Sequence, residues 1–184
     1  MNLMREPAIF RREDFSKYLP KGSRAVELGV ATGAFSEALL SESENIRLLV
    51  SVDKWNDHHD DAEMKQAMIR LGKYGTRSLV MRSLFSEAVT SFEDGYFDFI
   101  YIDGYAHTGQ EGGRTLDEWW PKLKVGGIFA GHDYDPQWPL VVMAVTEFSL
   151  KYELPLNFTW ELPAKGQGFA SWWVRKPAPA VKSP

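Results

Sequence analysis

The chain of 184 residues is 44% hydrophobic and 25% charged, which is the size and balance of one globular domain. Its formal net charge of −4, with 21 scattered basic residues, argues against a nucleic-acid-binding surface. The absence of cysteine excludes disulfides, thiolate metal sites and a cysteine nucleophile. Because no apolar run reaches the length of a membrane span and residues 1–15 lack the apolar core of a signal peptide, we expect a cytoplasmic protein that does not contact membranes.

Short apolar runs alternate with helical patterns along most of the chain. The apolar runs predict five buried strands, at residues 24–28, 46–52, 78–82, 97–103 and 127–133. The helical patterns predict five helices, at residues 34–42, 60–72, 85–92, 110–121 and 139–151. Before the first strand, residues 12–20 predict a short helix that ends at Pro20, and residues 156–160 and 168–176 predict a terminal hairpin at the sheet edge.

Strand–helix alternation predicts right-handed crossovers and a parallel sheet. We therefore expect an α/β fold, Rossmann-like and doubly wound, with a mostly parallel seven-stranded sheet, a C-terminal antiparallel strand and helices on both faces. Residues 1–176 are predicted to form a single domain, with an N-terminal cap helix (1–22) on a core (23–176), and the Pro/Ala-rich residues 177–184 a disordered tail. Ligands of such sheets bind at the carboxyl ends of the strands, near the switch point.

The turn after the first strand combines a carboxylate with two glycines, Glu27, Gly29 and Gly33. In a dinucleotide fingerprint, G-x-G-x-x-G, the second glycine lets the backbone approach a pyrophosphate, but here Ala31 occupies that position and Glu27 would repel the anion. A cationic cofactor without phosphate fits this turn better, and S-adenosylmethionine carries both an ammonium and a sulfonium. Taken alone, the motif also fits an incidental strand-to-helix turn.

The next two strand ends supply further candidates for a nucleoside. Asp53 ends the second strand, 20 residues after Gly33, where a carboxylate can accept hydrogen bonds from both ribose hydroxyls. Ser83 ends the third strand, where it would lie at the adenine edge or, with Glu87 close behind, cap the following helix. Trp55 would either stack on the adenine or pack in the core.

Three stretches, "VELGVATGAFS" (26–36), "SVDKWNDHH" (51–59) and the long segment from Tyr96 to Tyr134, together resemble class I S-adenosylmethionine-dependent methyltransferases. Within that class the chain is similar to the small-molecule group that includes macrocin-type sugar O-methyltransferases and catechol O-methyltransferase-like proteins. The resemblance implies six cofactor-binding residues: Glu27, Gly29 and Gly33 for the methionine part, Asp53 for the ribose, Ser83 for the adenine region and Asp103 for the methionine ammonium.

Polar residues at the ends of the fourth and fifth strands are candidates for the chemistry of methyl transfer. A hydroxyl acceptor must lose its proton, whereas a neutral amine needs less help. The catalytic candidates are Tyr105, His107, His132 and Asp133, with His107 or His132 as proton acceptor. The alternative is that His132 and Asp133 only cap the following connection.

We expect catalysis without a metal. Relatives that bind Mg²⁺ carry carboxylates at the positions of Tyr105 and His132, and Asp103 with Asp133 alone would make a poor octahedral oxygen site. The run "NDHHDDAE" (56–63) is better explained as a solvated loop whose acidic residues precede a positive helix N-terminus than as a metal cluster.

The function expected from these features is transfer of a methyl group to a hydroxyl or amine of a small molecule, such as a natural-product or sugar-bearing intermediate, with S-adenosylhomocysteine as co-product. Residues 104–114 are glycine-rich enough to form a lid, and Tyr134 and Trp138 would form pocket walls. A nicotinamide-dependent oxidoreductase and a non-catalytic cofactor-binding module are the alternatives. The assembly, monomer or homodimer, stays open.

Overall fold

The computed structural model describes residues 7–56, 58–160 and 169–179. Within these ranges the strands are β1 (Ser23–Leu28), β2 (Ile46–Asp53), β3 (Ser78–Arg82), β4 (Phe97–Ile102), β5 (Leu123–Gly131), β6 (Asn157–Phe158) and β7 (Trp172–Arg175). The α-helical segments are α1 (Ala34–Glu42), α2 (Asp61–Gly72), α3 (Phe85–Ala88), α4 (Gly109–Gly112), α5 (Arg114–Trp119) and α6 (Pro139–Lys151). Short 3₁₀ helices are found at Arg12–Tyr18, Gly75–Arg77, Val89–Ser91, Ala106–Thr108 and Trp120–Lys122.

The strands form one sheet in the order β3-β2-β1-β4-β5-β7-β6. Strands β1 to β5 are parallel, and β7 is antiparallel to both of its neighbours, β5 and β6. The predicted fold class, a mostly parallel seven-stranded sheet with a C-terminal antiparallel strand, is confirmed. The chain order reverses between β1 and β4, so the carboxyl ends of these two strands form the switch point at which such sheets bind ligands.

Side chains that alternate along the strands build two apolar cores, one on each face of the sheet. On β4, Phe99 and Tyr101 enter the core that is closed by α1 and the N-terminal 3₁₀ helix, whereas Ile100 and Ile102 enter the core under α3, α5 and α6. Because strands buried on both faces need apolar side chains at every position, they read as continuous apolar runs in the sequence. Helices therefore cover both faces, as predicted.

Some predicted boundaries differ because individual residues adopt left-handed backbone. The helix predicted at 110–121 is interrupted, since Gln110 and Glu111 have φ of 57° and 55° and the regular turn begins only at Arg114. The strand predicted at 127–133 begins earlier and ends at Gly131, because Asp133 has φ of 61° and cannot continue an extended strand.

The terminal parts of the chain agree with the prediction where they are described. Strands β6 and β7 pair antiparallel, with Asn157 opposite Trp173, although both are shorter than predicted and the predicted connection falls on residues 161–168, outside the described residues. Of the predicted tail, residues 177–179 have no regular structure and 180–184 lie outside the described residues, as do residues 1–6 of the predicted cap. The division into cap, core and tail stays a prediction. None of the described helices is long and apolar enough to cross a bilayer.

Candidate functional site

The two glycines of the turn after β1 are required by packing within the protein. Gly29 has φ of +97°, and a Cβ atom there would lie 2.2 Å from the backbone oxygen of Asp103 at the end of β4. Gly33 has φ of +77° and precedes α1, and its Cβ would lie 3.2 Å from Ala67 of α2. Both positions therefore favour glycine, for the turn and for close contact with neighbouring elements.

Asp53 ties the end of β2 to the same turn. Its Oδ2 accepts hydrogen bonds from the amides of Val30 (2.8 Å) and Ala31 (3.0 Å), and its Oδ1 accepts one from the amide of Trp55 (3.0 Å). A carboxylate has about four acceptor positions, so one stays open. The expected contact of Asp53 with the ribose hydroxyls stays a prediction.

Most amides of the glycine turn donate hydrogen bonds to oxygen atoms within the protein. Besides the two that Asp53 accepts, the amide of Gly29 donates to the carbonyl of Val52 (2.9 Å) and that of Gly33 to the carbonyl of Val30 (2.8 Å). A phosphate-binding loop needs such amides free to face its anion. This turn therefore lacks the donors for a pyrophosphate at these four positions.

Glu27, at the end of β1, is buried and is bonded to a hydroxyl rather than to a cation. Its carboxyl accepts a hydrogen bond from Ser36, whose oxygen is 2.6 Å from that of Ser51. Burial raises the pKa of Glu27 to about 8, although the hydrogen bond from Ser36 opposes the shift. Near neutral pH this carboxyl is therefore mostly protonated, and a bound cation would favour its ionised form.

Asp103, two residues beyond the partner of Glu27 on β4, is paired with two basic side chains. Its Oδ2 is 3.0 Å from Nη1 of Arg12, and its Oδ1 is 3.4 Å from Nδ1 of His132. Burial opposes the charge of Asp103, but the hydrogen bond to His132 and the charge of Arg12 outweigh it and keep its pKa below the ordinary value. Asp103 is therefore a fixed anion at the switch point.

His132 lies between two carboxylates. Its Nδ1 is 2.9 Å from Oδ1 of Asp133, in addition to the contact with Asp103. Burial would lower the pKa of His132, but the hydrogen bonds to the two carboxylates outweigh burial and raise it to about 9. The imidazole is therefore protonated at neutral pH and must lose that proton before it can accept one. Since α6 begins only at Pro139, with Trp138 at its N-cap, neither His132 nor Asp133 caps that helix.

The same three side chains form a candidate metal-binding group. Asp103, His132 and Asp133 each offer one ligand atom, and these atoms lie within 4.8 Å of one another. A metal would have to displace the proton of His132, because ligands bind in their deprotonated form. The expectation that no metal is needed stays a prediction.

The two remaining catalytic candidates, Tyr105 and His107, lie on the loop after β4 but in different surroundings. Tyr105, with φ of 60°, packs its ring at 4.9 Å from Phe85 and lines the same cavity as Asp103. His107 is exposed on the following 3₁₀ helix and is absent from the walls of both cavities that Asp103 lines. The structure therefore brings His132, Asp133 and Tyr105 near Asp103 and leaves His107 at the surface.

The predicted adenine region has a different residue on its wall. The hydroxyl of Ser83 donates to the carbonyl of Leu84 (3.0 Å), and Leu84 rather than Ser83 is the N-cap of α3. Phe85 lines the cavity there, and a Cβ atom on Gly104 would lie 2.9 Å from its ring. Trp55 is buried, and its indole donates to the carbonyl of Ala31 (2.9 Å), so the core alternative is the correct one.

The 56–63 run leads into a helix, as expected, but it also reaches the site. Asp60 caps α2 by accepting hydrogen bonds from the amides of Ala62 (2.9 Å) and Glu63 (3.0 Å). His58 and His59 line the cavity beside Asp53 and Asp103, which the interpretation as a solvated loop did not anticipate. The acidic residues of this run favoured the interpretation as a solvated loop, so the two histidines were not predicted to line the cavity.

Arg12 is a site residue that the sequence analysis missed. It reaches Asp103 across 91 positions of sequence from the N-terminal 3₁₀ helix, and its guanidinium lies 4.7 Å from the centre of the Phe35 ring. Together with Glu27, Gly29 and Asp103 it lines a cavity of about 270 Å³. Two carboxyl groups and one guanidinium in such a space match the charges of a zwitterionic amino acid.

A comparison of the sequence with protein families decides the assignment. The methyltransferase domain family matches residues 26–134. The chain belongs to this family. The predicted cofactor, S-adenosylmethionine, is confirmed for this methyltransferase, and the oxidoreductase alternative is set aside. No curated protein sequence matches the chain.

Solved structures share the fold of this methyltransferase at low sequence identity. An rRNA methylase from Streptococcus thermophilus is 16% identical with a TM-score of 0.68, over 95% of this chain and 99% of that one. A SAM-dependent O-methyltransferase from Thermotoga maritima is 18% identical with a TM-score of 0.65, over 97% and 70% of the two chains. An O-methyltransferase from Bacillus cereus, in complex with SAH, is 17% identical with a TM-score of 0.64, over 92% and 84%. At these identities the likeness shows the fold alone.

Proposed function

We propose that this methyltransferase transfers a methyl group from S-adenosylmethionine to a hydroxyl or amine of a small molecule, with S-adenosylhomocysteine as co-product. The observation that carries the proposal is Asp103, which joins a charged cavity on one side to the His132–Asp133 pair on the other. When bound, the cofactor supplies a methyl group on a sulfonium. The chain must then align the acceptor and remove its proton where it has one to lose.

The cofactor-binding roles follow the chemistry of each strand end. Asp103, as a fixed anion, would bind the methionine ammonium, with Glu27 as a second carboxyl that ionises when the cation arrives. The turn of Gly29 and Gly33 would support the methionine part, and Asp53 would accept one ribose hydrogen bond. In the adenine region Ser83 keeps its predicted role, and the wall formed by Phe85 adds an apolar surface for the base.

The proton-transfer role falls to His132. Asp133 orients its ring through the contact at 2.9 Å, and a positive charge bound beside the ring lowers the pKa of His132 from about 9. Loading the site would therefore convert an imidazolium into a neutral base. Tyr105 would form part of the wall. His107 stays a second candidate, since its use would require the predicted lid, residues 104–114, to move.

A small flat acceptor is supported by the aromatic side chains beyond His132. The ring of Phe169 lies 6.1 Å from that of His132 and 6.4 Å from that of Trp138. The hydroxyl of Tyr134 is within 3.0 Å of that of Thr146, so Tyr134 would serve as a wall rather than as a donor. A natural-product or sugar-bearing molecule fits this surface better than RNA, because the net charge is −4 and the basic residues are scattered.

The test is to measure S-adenosylhomocysteine formation with a panel of phenols, sugars and amines, and with total RNA as a separate arm. Calorimetry with S-adenosylhomocysteine and NADH should give binding of the first alone. If S-adenosylhomocysteine forms in the RNA arm and with none of the small molecules in the panel, the proposed acceptor class is wrong. Binding without any turnover would favour the non-catalytic module. Light scattering decides between monomer and homodimer, and fractionation of cells tests the cytoplasmic location.

A further inference from the structure

The cavity beside the glycine turn contains a fixed positive charge as well as carboxyl groups. Arg12 lines this cavity with Glu27 and Asp103. Among the described residues that line this cavity, Arg12 is the one with a guanidinium, and none is a lysine. His59, the other basic side chain on this wall, has its Nδ1 2.8 Å from Oε2 of Glu63. A ligand that carries both an ammonium and a carboxylate would therefore find Asp103 for the first and Arg12 for the second.

The backbone nearby offers few donors for that carboxylate. The amides of Gly29, Val30, Ala31 and Gly33 are all donated to groups within the protein. A carboxylate that is removed from water without a hydrogen-bond partner is strongly disfavoured, so the anionic end of a zwitterion needs a donor from another element. The N-terminal 3₁₀ helix supplies one.

The guanidinium is oriented before any ligand binds. Its Nη1 is bonded to Asp103 at 3.0 Å, and its Cζ atom lies over the ring of Phe35 at the start of α1, at 4.7 Å from the ring centre. Its Nε also lies 3.6 Å from Oε1 of Glu13, and the guanidinium shares a hydrogen bond with the hydroxyl of Tyr101. A guanidinium has five N–H donors in a planar fork, so at least two stay available for a ligand beyond these contacts and the bond to Asp103. Such a fork binds a carboxylate through two parallel hydrogen bonds.

We propose that Arg12 binds the α-carboxylate of the cofactor's methionine part, and that Asp103 and Phe35 position its guanidinium for this contact. The inference rests on the proposed function, because it requires S-adenosylmethionine in this cavity. In the loaded site the charges then alternate, from the Asp103 carboxylate through the ligand's ammonium and carboxylate to the guanidinium of Arg12. The N-terminal segment thus becomes part of the binding site.

The experiment is calorimetry with two probes, S-adenosylhomocysteine and its decarboxylated analogue S-adenosyl-3-thiopropylamine, which keeps the ammonium. Wild type should bind the first more tightly by about 10- to 100-fold, the range for a charge-assisted hydrogen bond. Arg12→Gln should lose that preference while it binds the analogue within about twofold of wild type. Arg12→Lys, which keeps the charge without the fork, should fall between them.

Arg11→Gln is the matched control, because Arg11 is adjacent in sequence and pairs at the surface with Asp14 (3.5 Å) and Glu42 (3.9 Å). It should leave both affinities unchanged. Equal loss of both probes in Arg12→Gln would make Arg12 a structural residue and overturn the inference. If Arg12→Gln does not fold, equal binding of the two probes by wild type overturns it by itself. Failure of wild type to bind S-adenosylhomocysteine would instead overturn the proposed function.

Discussion

Two carboxyl groups at the ends of adjacent strands, Glu27 on β1 and Asp103 after β4, have opposite shifts in pKa. Glu27 is buried against the hydroxyl of Ser36, and its pKa rises to about 8. Asp103 is paired with Arg12 and His132, and its pKa falls below the ordinary value. For Glu27 burial dominates, whereas for Asp103 the two basic partners outweigh burial. One strand end therefore provides an anion, and the other a carboxyl group that is mostly protonated near neutral pH.

The largest expected effect is the loss of turnover when His132, one of the two basic partners of Asp103, is replaced. We expect His132→Ala to lower the turnover number by about 10²–10⁴, the usual contribution of a general base. With a pKa of about 9 for His132 in the free protein, kcat/KM for the cofactor should rise with pH up to about 9. That rise should be absent in the variant. Stopped assays across pH 6–10 measure both quantities.

His107→Ala is the matched control, because His107 is the other predicted proton acceptor and is exposed on the 3₁₀ helix that follows β4. It should keep most of the activity and the wild-type pH profile. A loss in His107→Ala as large as that in His132→Ala would contradict the assignment and would require closure of the 104–114 loop during turnover.

The second effect concerns Glu27 and the stability of the fold. Its folded pKa of about 8 lies above its ordinary 4.5, so its contribution is fully present below pH 4.5 and is lost as pH rises through 8. We expect the free energy of unfolding of wild type to fall by about 3–4 kcal/mol relative to Glu27→Gln between pH 5 and 8. Urea unfolding of both proteins at several pH values measures the difference. Parallel curves over this range would refute the raised pKa.

The third effect is the loss of stability when Asp103, at the end of β4, can no longer pair with Arg12 and His132. Asp103→Asn leaves Arg12 and His132 without their shared anion, and we expect a loss of about 3 kcal/mol in stability and a lower pKa for His132. Asp117→Asn is the control, since its pair with Lys151 is half-exposed and should contribute less than about 1 kcal/mol. Chemical unfolding measures the stability of both variants, and NMR titration of the His132 ring measures its pKa. Equal stability and an equal His132 pKa in the two variants would contradict the role of Asp103 as the shared anion of Arg12 and His132.

The sequence predicted the parts of the site that depend on local patterns. Glu27, Gly29, Gly33 and Asp53 follow from the alternation of strands and turns, since residues at the carboxyl ends of parallel strands converge whatever the details of packing. The same rule brought Asp103 to the switch point. These positions could be named without knowing how any side chain packs.

Other features depend on contacts between distant parts of the chain. Arg12 meets Asp103 across 91 positions, and nothing near Arg12 in the sequence indicates that contact. Tyr105 and Asp133, both non-glycine residues, have left-handed backbone, and β5 ends at Gly131, before His132 and Asp133. Tertiary packing stabilises such conformations, so local propensity does not predict them.

The smallest expected effect is that of metal removal. Asp103, His132 and Asp133 place three ligand atoms within 4.8 Å, yet the pKa of about 9 means that a metal must displace a proton from His132 near pH 7. We therefore expect exhaustive EDTA treatment at pH 7 to leave turnover unchanged, and added Mg²⁺ to leave the melting temperature unchanged. At pH 9.5 His132 is mostly neutral and its proton competes less, so a melting temperature raised by Mg²⁺ only there would show that protonation controls access to the three ligands. Activity at pH 7 that EDTA abolishes and Mg²⁺ restores would contradict the prediction and make His132 a metal ligand instead of a base.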